Sequence, residues 1–307
     1  PVVLLLITAE VIYSSVKGLN FYKLEDTFAG LGLLLGNFLI GLLTKSSIFL
    51  IYVYLYQFRI ITVNDLLPIW AIWLATFVMI DFVYYWYHRF SHRVRFMWAV
   101  HMNHHSSEEM NFTVSLRQAW FGPITKVPFF IFMPLVGFDP IITAVAGVAS
   151  TLWGVIGHTQ WIRRLGILEY ILVTPSSHRV HHGSNECYID RNYGNLLIIW
   201  DRLFGTFAEE IEPVKFGIRD NVKTYNPIKI KILTSTLPGD VIVTKLYNSE
   251  RDSAQCPPTP STMGIYPLYK PCIFEDRTFK TPINVLMGHD GSKRKVTDDF
   301  RDDILLE

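Results

Sequence analysis

Eight histidines are the residues of this sequence best suited to chemistry, because they recur at the spacing of metal ligands. They form three motifs: His88-x3-His92, His101-x2-His104-His105 and His178-x2-His181-His182. On an α-helix, residues i, i+3 and i+4 share one face, about 5 to 6 Å apart. Neutral imidazole binds iron, zinc and copper, and this many ring nitrogens suits two ions better than one. The motifs therefore predict a histidine-bound centre of two metal ions.

Two further histidines stand apart from the motifs. His158, in the segment GHTQW, follows a long apolar run. It is either a ninth metal ligand or a hydrogen-bond partner of a ligand, since ionisable residues in such runs tend to be functional. His289 lies in a charged stretch, and we expect it to be an ordinary surface residue.

The chemistry of the motifs favours iron over zinc. Zinc has no redox chemistry, and its structural sites usually include cysteine. The three cysteines, Cys187, Cys256 and Cys272, form no C-x-x-C pair, and we interpret them as reduced thiols. No H-E-x-x-H motif supplies the general base of a zinc hydrolase. Two iron ions could instead activate O2, with no catalytic side chain predicted beyond the metal ligands.

Other polar residues are candidates for the surroundings of the metal ions. A metal-bound histidine generally donates its outer N–H to a carboxylate or a carbonyl. The segment NFTVSLRQ, residues 111–118, is polar where a substrate or cofactor would approach, and its arginine either pairs with an anion or extends toward the membrane surface. The candidate hydrogen-bond partners of the ligands are Asp81, Glu108, Glu109 and Asp190. The candidate residues facing a substrate or cofactor are Asn111 and Arg117.

The elements that position the histidines are predicted to be membrane helices. The 307 residues are 50% hydrophobic and only 18% charged, against about 25% charged in soluble proteins. A helix crosses a bilayer with about 20 apolar residues. The predicted spans are 27–44, a short 46–58, 66–87, a proline-kinked 118–138 and 140–162.

The order of these spans brings the motifs together. The histidine motifs lie before and after the pair 118–138 and 140–162, and an even number of crossings returns the chain to the same face. Arginines on that face indicate that it is cytoplasmic. The predicted fold is therefore all-α: a multi-span helical membrane protein with a cytoplasmic, histidine-rich di-iron cap.

Charge divides the chain into two regions. We expect residues 1–207 to form the membrane-embedded di-iron oxygenase domain and residues 208–307 to form a polar, partly disordered C-terminal region. Residues 255–262, QCPPTPST, are typical of a linker. The net charge of +1 argues against a nucleic-acid partner.

The motifs resemble the fatty acid hydroxylase and sterol desaturase superfamily over residues 66–230. Four segments carry the resemblance: DFVYYWYHRFSH, HMNHHSSEEMNFTVSLRQ, TPSSHRVHHGSN and NYGNLLIIWDRLFGTF. They are most similar to the branch that oxidises alkylglycerols, and HHSSEEMNFTVSLRQ is the most specific of these matches. Two features depart from that branch: Arg93 replaces an expected Glu, and the tail lacks further spans, which suggests an incomplete or differently spliced form.

The resemblance implies an O2-dependent membrane lipid monooxygenase. Its substrate would be an alkylglycerol, whose ether bond is cleaved through hydroxylation to a fatty aldehyde and a glycerol product. It also implies tetrahydrobiopterin as electron source, an endoplasmic reticulum location and the eight motif histidines as iron ligands. Two alternatives stay open: a sterol or fatty acyl hydroxylase or desaturase with a different electron donor, and a non-catalytic metal-binding membrane protein.

Overall fold

A computed structural model of the chain describes residues 2–218 and 221–236. Within these ranges the backbone is helical, and β-pairing is confined to two isolated bridges, Leu172 with Leu197 and Gly183 with Phe216. The helices are α1 Val2–Lys17, α2 Leu24–Tyr56, α3 Val63–Leu66, α4 Ile69–Arg93, α5 Arg95–His105, α6 Gly122–Phe130, α7 Phe132–Val136, α8 Pro140–Ile156, α9 Pro175–His182, α10 Ile199–Leu203 and α11 Pro227–Thr236. Short 3-10 turns occur at Val114–Leu116, Gly166–Tyr170 and Glu186–Tyr188. The prediction of a helical fold is confirmed for this part of the chain.

Helices α2 and α4, of 33 and 25 residues, are long and apolar enough to cross a membrane. Many of their large apolar side chains are exposed, including Leu43 and Trp70, as expected of a surface that faces lipid. The spans predicted separately at 27–44 and 46–58 are one continuous helix. Lys45 does not end it, because its ammonium reaches back along the helix to the Asn37 Oδ1 atom, 3.4 Å away.

The two spans predicted after the second motif are shorter than expected. The segment 118–138 contains two helices, α6 and α7, with Pro128 inside the first and Pro134 inside the second. Helix α8 begins at Pro140, where the Asp139 carboxylate accepts hydrogen bonds from two backbone amides of the first turn. It ends at Ile156 rather than at Ile162, because the chain turns there and the His158 imidazole bonds back to the Gly154 carbonyl.

The histidine motifs lie where these helices meet. Helix α4 packs against both α5 and α8, and the ends of all three carry or precede histidines. Helix α11 packs against α5 and α2, so residues 227–236 of the predicted polar region are part of the same packed unit. The linker 255–262 and His289 lie outside the described residues.

Candidate metal centre

Nine buried or half-buried histidines converge in two groups. The first contains His88, His92, His101, His105 and His181, and the second contains His104, His158, His178 and His182. Within each group the candidate ligand nitrogens all lie within 4.8 Å of one another. The eight motif histidines thus come together as the sequence predicts, and His158 joins them, which favours the ninth-ligand interpretation over a role as a hydrogen-bond partner alone.

Each H-x-x-H-H motif contributes to both groups. On α5, His101 and His105 belong to the first group while His104 belongs to the second. On α9 the i, i+4 pair belongs to the second group, and His181 belongs to the first. Residues i and i+4 lie nearly one above the other on a helix, whereas i+3 is displaced to the side. Two such helices can therefore hold two ions between them.

The inner ring nitrogens face one another closely. The His101 Nε2 atom lies 3.1 Å from Nε2 of His88 and 3.1 Å from Nε2 of His105. In the second group, Nε2 of His158 lies 3.2 Å from Nε2 of His104 and 3.1 Å from Nε2 of His178. Such contacts place several lone pairs around a common point, as a metal ion requires.

The outer ring nitrogens fix the orientation of three ligands. The Nδ1 atoms of His88, His158 and His181 lie 2.8, 2.8 and 3.0 Å from the backbone carbonyls of Tyr193, Gly154 and Arg191. A carbonyl only accepts, so each Nδ1 carries the proton and donates it. Each Nε2 is then unprotonated and able to bind a metal ion, the arrangement found around metal-bound histidines.

Burial favours the neutral, metal-binding form of six of these imidazoles. It lowers the pKa of His104 to about 4, and it lowers the pKa values of His101, His105, His158, His178 and His182 well below 6.5. Repulsion between neighbouring imidazoles adds to this effect for these five. Nε2 of His182 is buried with no hydrogen-bond partner among the described residues. Buried polar atoms are almost always paired, so this nitrogen fits a bound ion.

The predicted carboxylates around the metal centre occupy different positions. The Asp190 Oδ1 atom lies 3.8 Å from Nδ1 of His92, while its Oδ2 atom lies 3.4 Å from Arg93. Arg93, the departure noted in the sequence, therefore pairs with a carboxylate beside a ligand. Glu108 is exposed and accepts a hydrogen bond from Asn221. Glu109 is half-buried, and Ser107 Oγ accepts a hydrogen bond from its backbone amide.

Asp81 holds the loop that follows the third motif. Its carboxylate accepts hydrogen bonds from the amides of Leu196 and Leu197, at 2.8 and 3.0 Å, and from the Trp200 indole at 2.9 Å. A charged side chain in an apolar helix requires a partner, and this loop is the partner of Asp81. The same loop contains the Tyr193 carbonyl that accepts the hydrogen bond from His88. Asp81 therefore helps to orient His88 by holding the backbone of this loop in place.

Asn111 and Arg117 belong to a buried network beside the second group. The Arg117 guanidinium pairs with Asp26 at 2.5 Å and donates to Ser106 Oγ at 2.8 Å. Its backbone carbonyl bonds to the His104 imidazole. Asn111 donates to the Phe21 carbonyl at 2.6 Å. Neither side chain is extended toward a membrane surface.

Three positioning residues were missed by sequence reasoning. Glu10 is buried and accepts hydrogen bonds from Tyr22, Thr159 and the Phe112 amide. Asp201 accepts hydrogen bonds from the Tyr193 and Gly194 amides, both at 2.7 Å. Gly157 lies against His178: a Cβ atom at Gly157 would lie 2.7 Å from the ring's Cγ atom. Glu10 had a signal, because it is an isolated charge in an apolar run.

A cavity of about 410 Å³ leads to the histidines from between the helices. Five histidines of the two groups line its inner end, and Phe49, Ile80, Phe130 and Ala144 are among the apolar residues that line it. Pockets of this size and character bind small molecules or lipid chains. The centre is thus accessible from an apolar cavity.

Known proteins match the part of the chain that carries this centre. Residues 73–206 match the family model for fatty acid hydroxylase. An alkylglycerol monooxygenase of Homo sapiens is 39% identical over 217 residues, which cover 70% of this chain and 48% of that protein. One of Xenopus tropicalis is 43% identical over 182 residues, covering 59% of this chain and 40% of that protein.

A more distant relative is an ornithine lipid hydroxylase of Rhizobium tropici, 30% identical over 137 residues, which cover 44% of this chain and 41% of that protein. The chain spans about half or less of the length of these relatives. No solved structure matches it. The segment that holds both histidine groups matches the fatty acid hydroxylase family model, and over it the chain is similar to alkylglycerol monooxygenases.

Proposed function

We propose that the protein is an O2-dependent monooxygenase of membrane lipids whose two histidine groups each hold an iron ion. The observation that carries the proposal is the convergence of nine imidazoles, in sets of five and four, beside a partly apolar cavity that five of them line. Iron held by such ligands supplies the activation of O2 needed to attack an unactivated C–H bond.

The favoured substrate is an alkylglycerol, as in the relatives named for that activity. One oxygen atom of O2 would enter the C–H bond next to the ether oxygen. The other would leave as water, with two electrons and two protons taken from an external reductant. The product is a hemiacetal, which breaks its carbon–oxygen bond to give a fatty aldehyde and glycerol.

The residues of the chain contribute position and shielding to this reaction. The carbonyls of Tyr193, Gly154 and Arg191 hold three imidazoles with Nε2 directed inward. The cavity places the lipid chain against the centre and excludes water from it. Tetrahydrobiopterin is our proposed reductant, and the resemblance to alkylglycerol monooxygenases supports it.

We further propose that the protein is an integral membrane protein of the endoplasmic reticulum with the centre facing the cytoplasm. The two long apolar helices and the exposed apolar side chains support membrane insertion. Arg89, Arg93 and Arg95 near the end of α4 support the cytoplasmic orientation.

The test is release of fatty aldehyde from an alkylglycerol by membranes that contain the chain, with and without reduced tetrahydrobiopterin. A His181→Ala variant is the control. Aldehyde from the parent alone supports both substrate and site. If neither forms aldehyde but the parent oxidises an acyl lipid with another donor, the protein is an acyl hydroxylase, as the ornithine lipid hydroxylase relative also suggests. If the parent protein contains iron but consumes no O2 with any of these lipids and reductants, it is a non-catalytic metal-binding protein.

A further inference from the structure

Lys126 carries a positive charge into the cavity that leads to the histidines. It lies on α6, in an apolar segment, and lines the cavity together with Tyr84 and Tyr87. Its ammonium lies 5.4 Å from the centroid of each of these two rings. Tyr84 in turn lies 5.2 Å, centroid to centroid, from the ring of His88. A single aromatic ring therefore separates the ammonium from a metal ligand.

Among the described residues, no carboxylate lines the cavity to neutralise this charge. The residues that line the cavity include a second lysine, Lys45, and no Asp or Glu. Within the described ranges, Lys126 has no hydrogen bond or ion pair, and its contacts with charge-bearing or π groups are the two tyrosine rings. Contacts between a cation and aromatic faces offset only part of the cost of removing an ammonium from water.

The hydroxyl of Tyr84 is a second polar group at the cavity. It forms no hydrogen bond with another described residue, although Tyr84 lines the cavity. By contrast, Tyr87 lies within hydrogen-bond distance of Thr125, at 3.3 Å. One ammonium and one hydroxyl are therefore available to the same occupant. Both can donate hydrogen bonds to oxygen.

The metal ligands strengthen the positive character of the cavity. The candidate ligands in both groups are histidines, which bind metal as uncharged imidazoles, so a cation held there would add positive charge beside the cavity. A negatively charged oxygen group would find this cavity more favourable than a neutral one would, because electrostatic attraction is strong where water is excluded.

We propose that Lys126, with Tyr84, binds an anionic oxygen group on the headgroup of the lipid, so that the substrate is an alkylglycerol bearing a phosphate. This rests on the proposed function for the identity of the lipid, but the site for the anion does not depend on turnover. Lys126 is a specificity-determining residue: it binds the headgroup, and the apolar cavity wall takes the chain.

The experiment measures lipid binding by the full chain in detergent micelles, using radiolabelled hexadecylglycerol, hexadecylglycerol phosphate and palmitate. The variants are Lys126→Met, which removes the charge, and Lys126→Arg, which keeps it. Lys229→Met, at an exposed lysine on α11 outside the cavity lining, is the matched control. Binding of hexadecylglycerol by each variant reports that its cavity is folded.

We expect the parent, Lys126→Arg and Lys229→Met to bind the phosphate lipid at least tenfold more tightly than the neutral one, a difference of about 1.4 kcal/mol. Lys126→Met should bind both lipids equally. A preference for palmitate over the phosphate lipid that is lost in Lys126→Met would support an anion site at Lys126 but overturn the phosphate headgroup. Equal binding by the parent, or an equal loss for neutral and anionic lipids in Lys126→Met, would overturn the proposal.

Discussion

The Glu10 carboxylate accepts a hydrogen bond from the Thr159 hydroxyl, although the two residues are 149 positions apart. Thr159 directly follows His158, so the first helix of the chain is tied to the segment that carries a candidate ligand. The same carboxylate accepts hydrogen bonds from the Phe112 amide, at 2.9 Å, and from Tyr22. Glu10 thereby joins α1 to two loops, the one that contains Phe112 and the one that contains His158 and Thr159.

Replacing Glu10 should change the pH dependence of stability. Burial raises the pKa of Glu10 above 4.5, despite three hydrogen bonds that act in the opposite direction. A carboxyl whose pKa is higher in the folded state stabilises the protein below its unfolded pKa, and this contribution is lost as the pH rises through the folded value. In Glu10→Gln, the melting temperature measured across that pH range should depend less on pH than it does in the parent. An unchanged profile would show that Glu10 does not titrate there.

Removing one member of the Asp26–Arg117 pair should destabilise the protein strongly. Both side chains are buried, and the loss of either leaves the other charge unpaired. Such a change costs about 3 to 5 kcal/mol. We expect Arg117→Met to lower the melting temperature more than the double variant Asp26→Leu with Arg117→Met does. Equal losses in the single and double variants would contradict a buried ion pair.

Gly157→Ala should lower metal content without removing any ligand. A Cβ atom at this position would lie 2.7 Å from Cγ and 2.9 Å from Cδ2 of His178, so the ring must move. The matched control is Gly147→Ala on α8, where a Cβ atom meets no heavy atom within 4 Å. Elemental analysis of the purified variants should show metal lost from Gly157→Ala alone. Full metal content in that variant would mean that His178 is not a required ligand.

The two histidine groups predict different responses to single substitutions. His182→Ala would leave three ligands in the group of four, whereas His181→Ala would leave four in the group of five. We expect both variants to lose turnover, and His182→Ala to lose more bound iron. Turnover and iron content measured on the same preparations check this, with His289→Ala as a control that should match the parent. Retained turnover in either ligand variant would refute the assignment.

The sequence was sufficient to predict that the motif histidines come together but not how they divide into two groups. The i, i+3, i+4 spacing identified His101, His104 and His105 together, because it places three imidazoles on one side of a helix. Positions i+3 and i+4 nevertheless point about 100° apart. Which ion each one meets depends on how α5 and α9 pack, and spacing along one helix carries no information about its neighbour.

The bounds of the long apolar helices were also only partly predictable from the sequence. Lys45 suggested an end between two spans, but a long side chain on a helix can direct its charge along the helix axis, and α2 continues past it. Glu10 was visible as an isolated carboxylate in an apolar run. Its partners Phe112 and Thr159 could not be inferred, because they lie more than one hundred residues away along the chain and tertiary packing alone brings them to Glu10.

The sharing of both histidine groups by α5 and α9 also determines when the centre can form during synthesis. The first group needs His181 and the second needs His178 and His182. Neither set of ligands is complete until α9 has left the ribosome, after α1 to α8 have already been made. A nascent chain thus presents only partial sets to metal until late in translation, and full loading becomes possible for both ions almost at the same moment.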